Sequence, residues 1–358
     1  MHSTSKANVQ ALMNMGRMLY DGVPYFDLQR ASERVADLDD WFDFWVEAGE
    51  RYEGLGEEAL AAGARVSAGE WLWQASLSFH YAQFMWFHDP ARRELGQRRK
   101  VELYNRAAPH LLPPAERIEI PFDGATIPGF LRLPPGKRPE TGWPCVLLLG
   151  GLESTKEESY GFENLCLRRG LATFAFDGPG QGEVFFEVKL QPQFERHTSA
   201  VIDRLEQRDE LDKSRLGVLG RSLGGFYALR SGAGDERLRA IVAWAFFHDM
   251  EAFEEMPDHT QEGFLYVAGG SRDQLLAALD LSDVAADLRA PTLLLNGHND
   301  PIFPPRQMER TIAALVNAPK DVVIEPEGDH CCHNMGNIVR PRMADWLARQ
   351  LAAPGAQP

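Results

Sequence analysis

No run in this chain approaches the ~18 consecutive apolar residues that a membrane-spanning helix needs, so no bilayer span is expected. Met1-His2-Ser3-Thr4-Ser5-Lys6 leads into no apolar h-region, so no secretory signal is expected either. Cysteine is scarce: Cys145, Cys166, Cys331 and Cys332 are the four in 358 residues. Without an export signal they are not expected to form a disulfide framework, and Cys145 and Cys166 read as buried thiols in apolar surroundings. Positive charge is short as well, 37 Lys and Arg against 52 Asp and Glu. The net charge of −15 argues against nucleic acid or an anionic membrane as partner and reads as a solubilising surface, not a cation site. There is no internal repeat and no low-complexity stretch beyond the Pro/Ala tail. What remains is ordinary globular composition, 44% hydrophobic and 25% charged, enough for one large domain and a smaller one. A soluble, cytoplasmic protein is expected.

Gly220-Arg221-Ser222-Leu223-Gly224-Gly225 organises the rest. It follows the apolar run Leu216-Gly217-Val218-Leu219 and precedes Phe226-Tyr227-Ala228-Leu229-Arg230, a strand and then a helix. Gly-x-Ser-x-Gly between a strand and a helix is the nucleophile elbow of α/β-hydrolases. The turn is so tight that side chains two residues either side of the serine would clash, and Gly220 and Gly224 remove them. A serine needs a base and an orienting acid, and this fold supplies them in the order Ser, acid, His. Pro291-Thr292-Leu293-Leu294-Leu295-Asn296 is a buried strand followed by Asp300. Val322-Val323-Ile324-Glu325 is another, followed by Gly328-Asp329-His330. The expected triad is Ser222, Asp300 and His330. Asp249, just past a strand ending at Ala245, stands as the alternative acid.

Residues 1 to about 115 read as helical. Asp39-Asp40 is expected to cap one helix, and Ser67-Ala68-Gly69-Glu70 has the capping-box spacing to open another from Trp71 to Trp86. A third is expected from Pro90 or Ala91 to Ala108. Trp41, Trp45, Trp71, Trp73 and Trp86 fall here. They read as packing core, and the helix from Trp71 is apolar on more than one face, as if it met its own domain and the catalytic core. A lid domain with aromatic walls fits, with His80 and Tyr81 as its candidate substrate contacts, although His80 also reads as a core histidine.

From Ala115 the period becomes two, with Arg117 to Phe122 and Ile127 to Leu133 as an antiparallel hairpin. Cys145-Val146-Leu147-Leu148-Leu149 reads as a parallel strand buried on both faces. It ends in Gly150-Gly151-Leu152-Glu153-Ser154, which reads as a simple turn or as half of an oxyanion hole. On the second reading the backbone N–H groups of Leu152 and Leu223 are the donors. Glu153 and Trp244 are further candidate substrate contacts. A helix is expected from about Phe194 to Leu211. The excursion from about 247 to 288 is too long for a plain loop and reads as a helical lid insertion, with a second capping box at Ser271-Arg272-Asp273-Gln274. His330-Cys331-Cys332-His333 lacks the spacing for a zinc tetrahedron, so no metal is expected. The domains expected are a helical lid at 1–115 and an α/β-hydrolase catalytic domain at 116–358, its sheet mostly parallel and doubly wound.

Three stretches, Gly150 to Glu157, Gly220 to Gly225 and Gly328-Asp329-His330-Cys331-Cys332-His333-Asn334, resemble the 2,6-dihydropseudooxynicotine hydrolase family of α/β-hydrolases. Arg340-Pro341-Arg342-Met343-Ala344-Asp345-Trp346-Leu347 and the helical N-terminal region look similar too. Fungal polyketide-shortening hydrolases look like more distant relatives. The resemblance implies cleavage of a carbon–carbon bond beside a ketone, without a cofactor, by a Ser-Asp-His triad with an acid nearby. The segment after Ala245 offers Asp249, Glu251, Glu254 and Glu255, of which Glu251 or Glu254 is the expected auxiliary acid. The function expected is a cofactor-free C–C hydrolase of a β-diketone-like or vinylogous small molecule, aromatic or polyketide-like. An esterase, lactonase or thioesterase with the same triad, or a binding protein on the same scaffold, is the alternative. A homodimer is compatible with the sequence.

Overall fold

The computed structural model describes residues 14–84, 89–270 and 272–353. The stretch read for a secretory signal, Trp86 at the expected end of the aromatic helix, and Ser271 of the second capping box lie outside them. The chain divides into two compact units, Met1–Arg117 and Ile118–Pro358.

The first unit is helical: α1 (Met15–Asp21), α2 (Tyr25–Arg34), α3 (Leu38–Ala61), α4 (Arg65–Gln83) and α5 (Pro90–Ala107). The cap of α3 is Asp37, whose carboxylate accepts from the Asp40 N–H at 2.9 Å. Asp39 and Asp40 lie in its first turn, where negative charge meets the positive end of the helix dipole. Ser67 is not a cap either, because α4 starts at Arg65, right after Gly63 turns the chain at φ +74°. Helix α5 starts at Pro90, one of the two starts expected, with the Asp89 side chain accepting from the Ala91 and Arg92 N–H groups. Helix α4 lies between α3 and α5, which accounts for its apolar residues on more than one face. Trp41 and Trp45 are buried with ring centroids 5.7 Å apart, and the Trp41 indole N–H donates to the Tyr81 carbonyl at 2.8 Å. Truncating Trp45 to alanine would cost ~3–5 kcal/mol.

The second unit is built on eight strands: β1 (Ala115–Phe122), β2 (Ala125–Arg132), β3 (Trp143–Leu149), β4 (Ala172–Phe176), β5 (Leu211–Arg221), β6 (Leu238–Trp244), β7 (Thr292–Gly297) and β8 (Lys320–Glu325). Their order is β1-β2-β4-β3-β5-β6-β7-β8. β2 is antiparallel to β4, and every neighbouring pair from β4 to β8 is parallel. The helices are α6 (Tyr160–Leu167), α7 (Phe194–Leu205), α8 (Leu223–Gly234), α9 (Asp258–Ala268), α10 (Arg272–Ala278), α11 (Pro305–Ala314) and α12 (Gly336–Gln350). Strand residues alternate between two cores. Leu147, Val218, Ile241 and Leu294 pack with α7, α8 and α9, whereas Val146, Leu219, Val242 and Leu293 pack with α6 and α12. Burying one such Val or Leu contributes ~1.5–3 kcal/mol, which is why these strands read as unbroken apolar runs.

The helix expected to reach Leu211 stops at Leu205, and Leu211 already begins β5 by pairing with Trp143. The excursion between β6 and β7 holds α9, α10 and short 3₁₀ turns, so it is helical as expected. Because β3, β5, β7 and β8 run parallel, their carboxyl ends share one edge of the sheet. That edge is where Leu152, Ser222, Asp300 and His330 emerge, as ligand sites do in open α/β sheets.

Candidate active site

Ser222 sits between the end of β5 and the start of α8 at φ 58° and ψ −121°, a conformation unfavourable for a side chain. Two glycines make the turn possible. A Cβ on Gly220 would lie 1.8 Å from the Gly224 carbonyl oxygen, and one on Gly224 would lie 2.4 Å from that of Leu149. The Ser222 N–H donates to the Trp244 carbonyl at 2.8 Å, which ties the turn to β6.

The three residues expected to act together do meet. His330 Nε2 lies 3.1 Å from Ser222 Oγ, and His330 Nδ1 lies 2.8 Å from Asp300 Oδ2. The other Asp300 oxygen accepts from the backbone N–H groups of Ile302 at 2.8 Å and Phe303 at 3.0 Å. A carboxyl group so held fixes the imidazole tautomer: Nδ1–H donates to Asp300, leaving Nε2 to accept the serine proton. Burial works against the imidazolium, but Asp300, with a further contribution from Cys331, outweighs it and holds the His330 pKa above the ordinary histidine value. The Phe303 ring packs edge-on to the imidazole, centroids 5.2 Å apart. After His330 the chain turns sharply, with Cys331 and Cys332 both at positive φ. The Trp244 indole N–H holds that turn by donating to the Cys331 carbonyl at 2.8 Å.

The loop after β3 brings Gly151 against the nucleophile, so that a Cβ there would lie 3.2 Å from that of Ser222. Leu152 follows, and its N–H donates to no other group among the described residues. Leu223 is the first residue of α8, so its N–H has no intrahelical acceptor. Gly151, next to Leu152, abuts Ser222, and Leu223 follows Ser222 in the chain, so both N–H groups are candidate oxyanion donors. Charges buried beneath the loop hold it. The Lys156 ammonium lies 2.6 Å from Glu157, 2.8 Å from Asp177 and 2.5 Å from Glu183, and the Lys156 N–H donates to Asp177 at 2.8 Å. Burial opposes the Lys156 charge, but the three carboxylates outweigh it and its pKa is raised. Arg221 donates to Ser154 Oγ at 2.8 Å and pairs with Glu158, linking the residue before the nucleophile to the same loop.

Other expected residues fall elsewhere. Glu251 and Glu254 are not desolvated: each is exposed, the first paired with Arg310 and the second with Arg272. Both therefore point to surface arginines and not into a water-excluded site. Asp249 pairs with Arg310 at 2.5 Å and accepts from Gln307, so it is not the acid that orients His330. His80 and Tyr81 are fully buried within the helical unit, their rings 5.0 Å apart, and the Tyr81 hydroxyl donates to Asp21 at 3.0 Å. They serve that unit's core and present no ligand-facing surface. Trp244 packs in the core beside Phe162 and His333 with its N–H engaged by Cys331, so it positions the histidine loop and does not line a pocket. Glu153 is half-buried in the loop after β3 and has no hydrogen-bond or ion-pair partner among the described residues. Lys156, Asp177, Gln181 and Arg221 were missed as supports of the site, because their partners come from loops distant in sequence and no local pattern marks them as buried.

Residues 39–269 match the family described as Esterase FrsA-like, and residues 194–353 match the prolyl oligopeptidase family. The chain is 45% identical over 348 residues to 2,6-dihydropseudooxynicotine hydrolase of Paenarthrobacter nicotinovorans, covering 96% of this chain and 93% of that protein. It is 32% identical to the α/β-hydrolase psoB of Aspergillus fumigatus over 69% of this chain and 60% of that one. The crystal structure of 2,6-dihydroxy-pseudo-oxynicotine hydrolase superposes with a TM-score of 0.89 at 42% identity, over 95% of this chain and 97% of that one. AbyA5, at 21% identity and a TM-score of 0.69, shares the fold.

Proposed function

Because the chain belongs to the FrsA-like esterase family of α/β-hydrolases, we propose that this hydrolase cleaves a carbon–carbon bond beside a ketone, without a cofactor, with Ser222 as nucleophile. The observation that carries the reading is the relay from Asp300 Oδ2 through His330 to Ser222 Oγ. The choice of bond rests on full-length likeness to 2,6-dihydropseudooxynicotine hydrolase. Ser222 Oγ gives its proton to His330 Nε2 and bonds to the ketone carbon, and the carbonyl electron pair becomes an oxyanion held by the two N–H groups. Collapse breaks the carbon–carbon bond. Its electron pair leaves as an enolate, conjugated with the substrate's second carbonyl, and takes the proton carried by His330. Water, deprotonated by His330, then releases the acyl group as a carboxylic acid. The sum is β-diketone plus water giving a carboxylic acid and a smaller ketone, with no oxidant needed.

The substrate in this reading is a small β-diketone-like or vinylogous molecule, aromatic or polyketide-like. Glu153 is proposed as its polar contact, since a half-buried carboxylate without a partner favours a hydrogen-bond donor or a cation. The helical unit is proposed as a lid, supported by the relatives that share it across their full length. Four free, buried cysteines fit a cytoplasmic setting, and no helix among the described residues is long and apolar enough to cross a membrane. A homodimer remains part of the proposal. Ester hydrolysis is the second reading, favoured by the family's description. The test is a panel of aryl β-diketones against matched aryl esters. A kcat/KM for diketones at or above that for the esters is expected, and turnover of esters alone would replace the first reading by the second.

A further inference from the structure

Gln181 lies in the loop after β4 and is 2% exposed. Its Nε2 donates to the Gly150 carbonyl at 2.7 Å and to the Gly151 carbonyl at 3.1 Å. Its Oε1 accepts from the Gly178 N–H at 3.1 Å, and its own N–H donates to the Gly178 carbonyl at 2.9 Å. These partners fix which way the amide faces. The flipped amide would set its oxygen against two carbonyl oxygens and its NH₂ against an N–H.

We infer that Gln181 is a positioning residue that sets the direction of the Leu152 N–H by gripping the carbonyls of Gly150 and Gly151. The peptide bond is planar and trans, so the Gly151 C=O and the Leu152 N–H point in opposite directions within one plane. Anchoring that oxygen on Gln181 turns the N–H away from Gln181. Gly151 itself abuts Ser222 and the Arg221 carbonyl, so the peptide lies between the nucleophile and the Gln181 amide. Glycine at 150 and 151 makes rotation of this peptide easy, so the loop does not hold the orientation by itself. A flip would put a carbonyl oxygen where the oxyanion forms. The salt-bridged Lys156 fixes the far end of the loop through Asp177, and Gln181 fixes the end that carries the donor.

The inference rests on the Ser222-centred reading, and three full-length variants separate the two. Gln181→Met keeps the side-chain length and removes both donors. It is expected to lower kcat for p-nitrophenyl acetate ~10²-fold, the scale of losing one oxyanion donor, with KM nearly unchanged. It is also expected to weaken an aryl trifluoromethyl ketone, which forms an oxyanion on the serine, by ~10²-fold while leaving the matching methyl ketone unaffected. Gln181→Glu can donate when protonated and repels the two carbonyls when ionised. Its kcat is therefore expected to fall as pH rises through the new carboxyl's titration, a limb the parent lacks. Equal weakening of both ketones, no weakening of either, or a parental pH profile in Gln181→Glu would overturn the inference. Ser222→Ala run in parallel assigns the failure. If it is inactive while Gln181→Met behaves as the parent, the inference alone falls, and if it keeps full turnover the serine reading falls first.

Discussion

Replacing Lys156 by methionine removes the cation shared by Glu157, Asp177 and Glu183, whose carboxylates lie 2.6, 2.8 and 2.5 Å from its ammonium. Glu157 is 2% and Asp177 1% exposed, so water cannot take over the ammonium's part. Breaking a buried pair by removing one partner costs ~3–5 kcal/mol, and this removal affects three carboxylates at once, so the upper end of that range is expected. Against a total stability of ~5–15 kcal/mol the variant is folded but fragile near neutral pH. The sign with pH follows from the carboxyls left behind. Without the ammonium their folded-state pKa values rise above the unfolded ones. Such groups lend stability at acid pH that is lost as pH rises towards their folded-state values, so the deficit should be smaller at pH ~5 than at pH ~8. Guanidinium denaturation of parent and variant at both pH values, followed by tryptophan fluorescence, measures it. A deficit below ~1 kcal/mol, or one equal at both pH values, would refute the claim that this buried cation holds the loop.

Asp300→Asn should lower kcat ~10⁴-fold, by analogy with the same change in other Ser-His-Asp enzymes, because the imidazole tautomer is no longer fixed. In the parent, His330 must be neutral to act. Its pKa is raised by Asp300, so kcat/KM should climb with pH through an apparent pKa above the ordinary histidine value, and that limb should move to lower pH in Asp300→Asn. Trp244→Phe deletes one buried hydrogen bond to Cys331 and should cost ~1 kcal/mol in denaturant titration, with a fall in kcat and little change in KM. Deleting residues 1–114 should abolish turnover of bulky ketones, and a soluble, fully active remainder would contradict the lid proposal.

The parallel strands were legible because burial on both faces leaves an unbroken apolar run, as in Cys145 to Leu149. That Ser222, Asp300 and His330 would meet was legible because the elbow demands small residues at Gly220 and Gly224 and the fold demands an order of residue types. Helix starts were less so: Asp37 and Asp39 are equally good caps by composition, and the chain's path decides between them. The acids after β6 misled because their sequence position says nothing of exposure, and Arg310 and Arg272 come from distant segments to pair with them. The buried charges went unseen for the opposite reason. Nothing within Lys156-Glu157-Glu158 itself marks three adjacent charges as buried, and only the crossing of the β3 and β4 loops encloses them.

The most direct test follows an aryl β-diketone in heavy-oxygen water with the parent and with Ser222→Ala, identifying products and acid-quenched enzyme peptides by mass spectrometry. The account expects the parent to release a carboxylic acid carrying one heavy oxygen and a shortened ketone. It also expects an acyl group trapped on the peptide containing Ser222, and neither product from Ser222→Ala. Cleavage at near-parental rate in Ser222→Ala, or an acyl group trapped on another residue, would contradict it.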